Sequence, residues 1–372
     1  KNMFAETPFD QDLGNWKVNQ VTDMTDMFRN AGLSTRNYNN TLKRWSQLAL
    51  QPGVVFNAGH SQLISSTLDF KQKIIDDFNW IISDGGEQAP MVLLYKAEES
   101  EYNCIALPLY GEVFALIDWG DHNHSQATWS GEHYHCYEKE GEYIVSISGT
   151  VTEYGVDNDF YPDPGDDGPV AFSLNFFVAD EEYDAFEGYK QSGLLKVLTF
   201  GEMPLTSISG AFRGAENLIS VPDTLPATVN NMNYAFYGAT AFNQDLSSWD
   251  VSNVQEMAGL FQKASSFDQD LSSWDVSNVW NMDDFFAGVK LSTHNYDKLL
   301  QSWSKQDLQN GVFFDAGQSQ YSAGLASIAR QKLIDEFSWY VIDEGEDPLS
   351  ENEPGEGEGE DEPGENEGED EP

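Results

Sequence analysis

"FNQDLSSWDVSNV" spans residues 242 to 254 and "FDQDLSSWDVSNV" spans 267 to 279, so nearly the same thirteen residues recur 25 positions apart. A third, diverged copy, "FDQDLGNWKVNQV", occupies 9 to 21. Around these copies one apolar spacing returns, with residues at +3, +6 and +7 after the first. It reads Leu205, Ile208, Ala211, Phe212, then Val229, Met232, Ala235, Phe236, then Val254, Met257, Leu260, Phe261, then Val279, Met282, Phe285, Phe286. Offsets of +3, +6 and +7 share one side of a short helix, and Trp249, Val251 and Val254 suit a short buried strand. Strand plus helix in about 25 residues is the unit of a stacked array in which no single turn buries its apolar side alone. The spacing therefore predicts an α/β solenoid with Trp249 and Trp274 stacked in register, and with Trp16, Asn253 and Asn278 as structural repeat positions.

The polar repeat positions Asp245, Asp250 and Asn253, with their copies Asp270, Asp275 and Asn278, admit two readings. Asx side chains satisfy turn and strand-edge backbone groups. A row of carboxylates facing a cation or ligand is the alternative.

A second duplication frames the first. Residues 33 to 62 match 291 to 320 at an offset of 258, and 74 to 87 match 333 to 346 at 259. Tyr296, Leu299, Leu300 and Trp303 fall at i, i+3, i+4 and i+7, an amphipathic helix entered through Ser292 or Thr293 as N-cap. A helix around Ala326, Ala329, Leu333 and Phe337 and a short strand around Trp339 complete an end cap, which shields an apolar end from aggregation. Upstream of the first copy nothing covers Met3, Phe4 and Phe9. Lys1 falls inside a repeat, so we expect a segment of a longer chain, with any leader or anchor outside it.

These residues resemble the BspA-like repeat family of bacterial surface proteins, distantly leucine-rich-repeat-like, whose signature lies close to F-N-Q-D-L-S-S-W-D-V-S-N-V followed by M and M-F. The resemblance covers 3 to 87 and roughly 194 to 346. It implies secreted or surface-exposed proteins of adhesive or unknown role, with no catalytic residues to carry over. Lys17 and Asn19 depart from the pattern, and the 205 to 229 turn lacks its Trp and carries Pro222 and Pro226.

Between the two repeat stretches the chain changes character. Tyr143, Val145 and Ile147 alternate with outward residues, as do Val113, Ala115 and Ile117, which reads as strands of a two-sheet sandwich. Asp118-Trp119-Gly120-Asp121, His135-Cys136-Tyr137 and Gly141-Glu142-Tyr143 resemble the W-G-D turn and H-T-Y…G-x-Y segment of polycystic-kidney-disease (PKD) domains, with His122 where that family has glycine. The resemblance implies an immunoglobulin-like β-sandwich used as an extracellular spacer. It also pairs the strand before Pro108 with the H-C-Y strand, which makes Cys104 and Cys136 cross-strand neighbours; in an oxidising exterior it implies a disulfide.

Within this module Asp118 and Asp121 suggest a glycosidase carboxylate pair, yet carboxylates beside Gly120 in a tight turn have the ordinary task of holding backbone N–H groups. His122, His124, His133 and His135 cluster in sequence, but a zinc site needs them convergent. From 156 to 192 neither resemblance holds. Asp157, Asp159, Asp163, Asp166 and Asp167 crowd a Gly- and Pro-rich loop, and 170 to 179 reads as an added strand. Such oxygen ligands suit Ca²⁺, which takes six to eight of them. The spacing matches no EF-hand loop, and a solvated acidic loop is the other reading.

The expected division is thus 1–88, the last turn and cap of a first solenoid; 89–155, the sandwich; 156–192, the acidic insertion; 193–346, a second solenoid with its cap; and 347–372, an acidic linker expected to be disordered. Of 372 residues, 63 are Asp or Glu and 19 Lys or Arg, a formal net charge of −44, and the last 22 residues hold only 12 of the acids. That field repels nucleic acid and anionic lipid. No apolar run is long enough to span a bilayer, and no phosphate-binding loop, zincin or nucleophile-elbow motif is present. The expectation is a non-enzymatic structural or adhesive segment of a large extracellular or cell-surface repeat protein. Its partners would be tandem copies of itself, flanking modules, or a cell-surface glycan or protein. The alternatives are a glycan-binding module and an accessory segment of a secreted polysaccharide hydrolase.

Overall fold

The hydrogen bonds of the 205 to 287 repeats run sideways, and this decides their structure. In the computed structural model, which describes residues 1–97, 103–155 and 193–348, Ile208, Gly210, Phe212 and Gly214 donate their N–H groups to the carbonyls of Asn231, Asn233, Ala235 and Tyr237 in the following turn. Met232, Tyr234, Phe236 and Gly238 donate to Glu256, Ala258, Leu260 and Gln262, and Met257, Gly259, Phe261 and Lys263 to Asn281, Asp283, Phe285 and Ala287. N–H groups spent laterally at alternate residues cannot close i→i−4 bonds. The alternation needs left-handed backbone at two positions per turn, held by Gly210 and Gly214, Tyr234 and Gly238, Gly259 and Lys263, Asp284 and Gly288.

This overturns the α/β solenoid expectation. The 200 to 292 stretch holds neither an α-helix nor a strand of its own; its turns are joined by single parallel bridges, Ser207 to Asn231, Asn231 to Glu256 and Glu256 to Asn281. The apolar positions are buried as the spacing requires, Leu205, Ile208, Phe212, Phe236, Phe261 and Phe286 among them. A +3, +6, +7 pattern is shared by a helix and by this tighter turn, and periodicity alone does not separate them.

The four α-helices among the described residues belong to the duplicated segments. α1 (Thr35–Trp45), β1 (Val55–Asn57), α2 (Leu68–Phe78) and β2 (Ile81–Ser83) form the first, with β1 and β2 paired in parallel. The second consists of α3 (Thr293–Trp303), β9 (Phe313–Asp315), α4 (Leu325–Phe337) and β10 (Tyr340–Ile342). Ser34 and Ser292 cap α1 and α3 by accepting from Asn37 and Asn295.

The intervening strands also correct the sequence reading. β3 (Met91–Ala97), β4 (Cys104–Asp118), β5 (His124–Ala127), β6 (Gly131–Cys136), β7 (Gly141–Tyr154) and β8 (Leu194–Thr199) form one six-stranded sheet, ordered β5-β4-β7-β3-β8 with β6 also on β4. Every pairing within it is antiparallel. The two-sheet sandwich is therefore replaced by a single sheet, because β5 and β6 occupy opposite ends of the same long strand, β4, instead of seeding a second layer. The inner face of this sheet packs against the repeats. Glu153 at the end of β7 bridges in parallel to Ser207, and one buried cluster runs from Met91 through Tyr154, Leu205 and Trp274 to Trp339. A second, separate cluster holds Leu13 to Trp80.

Candidate functional site

The repeat side chains singled out by the sequence are occupied by backbone groups. Asp245, Asp250, Asp270 and Asp275 each accept from the N–H two residues on, at Ser247, Ser252, Ser272 and Ser277. The Ser252 bonds hold the Asp250 carboxyl below the ordinary range. Asn253 and Asn278 donate to the carbonyls of Ala227 and Ser252 in the preceding turn. Trp249 and Trp274 also reach back, their indole N–H groups meeting the carbonyls of Pro222 at 2.8 Å and Leu246 at 3.0 Å. Each indole packs against the Phe of its own turn, Phe236 or Phe261. These side chains fasten one turn to the last.

In the duplicated segments a carboxylate is held deep between helix and strand. Asp343 accepts from Arg330 Nε at 2.7 Å and from Tyr296 Oη at 2.8 Å. In the first copy Asp84 accepts from Lys71 and Tyr38. Burial, then Asp84, pushes the Tyr38 hydroxyl well above its usual range, and burial, then Asp343, does the same for Tyr296. Sequence inspection missed both clusters, although the repeated Tyr and Asp at an offset near 258 were there to find them.

On the sheet, Cys104 and Cys136 face each other across β4 and β6 and are joined by a disulfide. Beside them His135 Nε2 lies 2.7 Å from Asp121 Oδ2, its ring stacked on Trp119 at 4.9 Å. Tyr137 Oη donates to the Trp119 carbonyl. Burial works against ionisation of Asp121, but His135 and Asn123 outweigh it and hold the carboxyl at about 2. Asp118 accepts from the Gly120 N–H, so the glycosidase-type pair is two turn carboxylates. His124 sits 3.5 Å from Asp118, and His133 is buried against the Trp129 carbonyl. His124, His133 and His135 thus serve separate partners, and among the described residues no three His, Cys, Asp or Glu side chains converge as metal ligands. Glu132 is half-buried on β6, and burial pushes its carboxyl up to about 7. The proposed Ca²⁺ ligands Asp157, Asp159, Asp163, Asp166 and Asp167 lie outside the described residues, as does nearly all of the 347–372 tail.

The remaining feature is the upstream face of the first repeat. Asn2, Phe4 and Glu6 donate to the carbonyls of Thr25, Met27 and Arg29, as Gly259, Phe261 and Lys263 do to Asp283, Phe285 and Ala287. Phe4 stacks on Phe9 at 3.8 Å, as Phe261 does on Phe267 at 3.9 Å. The surroundings differ. Phe236 and Phe242 cover Phe261 and Phe267, which are fully buried, whereas Phe4 and Phe9 stay part-exposed, Met3 is 59% exposed and Trp16 38%.

Among the described residues no helix is long and apolar enough to cross a membrane. Neither the curated proteins nor the solved structures offer a match to this chain. A family model described as "Mycoplasma protein of unknown function, DUF285" matches residues 1–76 and 206–322, the two repeat stretches and most of their helical ends. With just over half of its residues matched, the chain belongs to that family of Mycoplasma proteins of unknown function, DUF285.

Proposed function

We propose that this chain is a non-catalytic structural or adhesive segment of a secreted or cell-surface protein, with its repeats serving as a stiff spacer of the BspA-like kind. One observation carries the reading: a single buried core runs from Met91 to Trp339, so sheet and repeats are fused without a hinge between separate cores. The repeat polar groups are consumed in holding turn to turn, which suits mechanical continuity. Small-angle scattering of the full chain tests stiffness: the 89–346 portion should give one fixed extended envelope at low and high salt. A broad distribution of envelopes would sink the spacer reading. Surface labelling of intact source cells tests the location, and a chain labelled only after lysis contradicts it.

A second reading, glycan recognition, has its own support. Trp129, in the β5–β6 connection, and Tyr134, on β6, are 55% and 61% exposed. Exposed aromatic faces stack on apolar ring faces of a ligand. Glycan-array binding lost on Trp129→Ala and Tyr134→Ala supports it, and an array without signal removes it.

A further inference from the structure

The interfaces between turns are directional. At each one among residues 205 to 287, four N–H groups point to the next turn while only one or two point back, from Asn230 to Thr206 and Ala241 to Glu216, from Gln255 and Glu256 to Asn230, and from Trp280 to Gln255. In the third turn the donors Gly259, Phe261 and Lys263 alternate with the acceptors Ala258, Leu260 and Gln262, whose carbonyls receive Tyr234, Phe236 and Gly238. Transferred to the first repeat, where Asn2, Phe4 and Glu6 are the donors, the acceptors are the carbonyls of Lys1, Met3 and Ala5. Among the described residues no N–H reaches any of the three. The face around Met3, Phe4, Phe9 and Trp16 therefore combines part-exposed aromatic rings with a row of carbonyl oxygens.

We propose that this face is a docking surface for one further turn of the same repeat, arriving with its N–H row first. The occupant is specified by the internal copy: alternate N–H donors like those of Tyr234, Phe236 and Gly238, and a Phe pair like Phe236 and Phe242, whose rings lie 5.3 and 6.2 Å from the rings they cover. A second copy of the face itself does not fit. Two-fold packing brings the same patch against itself, so carbonyl would meet carbonyl, and a buried acceptor without a donor is costly. The inference rests on the reading of the chain as a spacer within a longer run of modules.

The test tethers the internal turns to the full chain. A copy of residues 206–257 is joined ahead of Lys1, which places its last turn in the register of the native interface. Peptide-resolved hydrogen exchange should show the grafted copies of Tyr234, Phe236 and Gly238 exchanging about 100-fold more slowly than unfolded peptide. Acrylamide quenching of Trp16, read against a Trp16→Phe control, should fall. The graft carrying Phe236→Asp and Phe242→Asp should lose both effects while the host exchange pattern stays native. An unprotected wild-type graft on an intact host overturns the proposal. So does sedimentation of the ungrafted chain as a dimer that Phe4→Asp dissociates, since the occupant would then be a second copy. Neither result bears on whether 89–346 moves as one stiff body, so failure here and failure of the spacer reading are separable.

Discussion

Trp274 and Trp16 occupy the same place in their repeats, and their surroundings set their worth. Trp274 is fully buried with its indole N–H bonded, whereas Trp16 is 38% exposed. Replacing a buried Trp by Ala typically costs 3–5 kcal/mol. Trp274→Ala should therefore lower stability by about 4 kcal/mol in urea titration, and Trp16→Ala by about 1 kcal/mol; equal costs would show that the first face is covered. Glu132 gives a prediction in pH. Its folded carboxyl is pushed up to about 7, above the ordinary carboxylate range, so the folded chain binds the extra proton. The contribution favours the fold at low pH and is lost as pH rises from about 4.5 through 7. Glu132→Gln should remove that decline and leave the protein more stable at pH 8 by about 1–2 kcal/mol, after allowance for solvent screening. Thermal melts across pH 4 to 8 check it.

At the scale of elements, the duplicated segments show what a carboxylate can hold. Asp343 binds Arg330 on α4 and Tyr296 on α3, and removing it leaves a part-buried guanidinium without its carboxylate partner. Breaking such a pair from one side costs about 3–5 kcal/mol, more than a surface ion pair is worth. Asp343→Ala should cost that much by chemical denaturation, while Lys332→Ala, which breaks the exposed pair with Glu336, should cost less than about 0.5 kcal/mol. α3 was legible in the sequence because Ser292, Tyr296, Leu299, Leu300 and Trp303 combine a cap with a helical stripe. The repeat turns were legible as repeats and not as turns. Their apolar spacing suited a helix, and the deciding signal, Gly or another left-handed residue at 210, 214, 234, 238, 259, 263, 284 and 288, falls from 210 to 263 on every second lateral N–H donor, which apolar periodicity does not register. The strands around 113–117 and 143–147 could be read from their alternation, but their pairing could not. Only tertiary context puts β5 and β6 on one edge of β4. The Asp121–His135 contact was hidden for the same reason, since the two lie 14 positions apart and are joined only by the pairing of β5 and β6 with β4.

For the whole molecule, the division into independent units does not describe the packing between 89 and 346. Tyr154, Leu205 and Ile208 share one cluster across the junction of sheet and repeats, while Leu13 to Trp80 form another. Ile208→Ala, at the junction, should cost about 2–5 kcal/mol. Hydrogen exchange should then rise together in β7 and in the turns around Phe236, and stay unchanged around Trp45 and Phe56. A rise confined to the repeats would mean that sheet and repeats unfold independently. The two clusters meet through polar ties, Gln62 and Gln88 to Glu202 and Arg36 to Glu112.

The one-way hydrogen bonding of the turns has an electrical meaning. Peptide dipoles that all point along one axis add up, as they do in an α-helix. Here the excess of forward over backward N–H groups repeats at each interface from 205 to 287, so the partial charges cancel between turns and survive at the ends. The end that shows carbonyl oxygens is negative and the opposite end positive, independently of any side chain. Even a version of this repeat column stripped of its acidic residues would keep a permanent polarity, and successive columns laid in the same sense would attract head to tail and repel head to head.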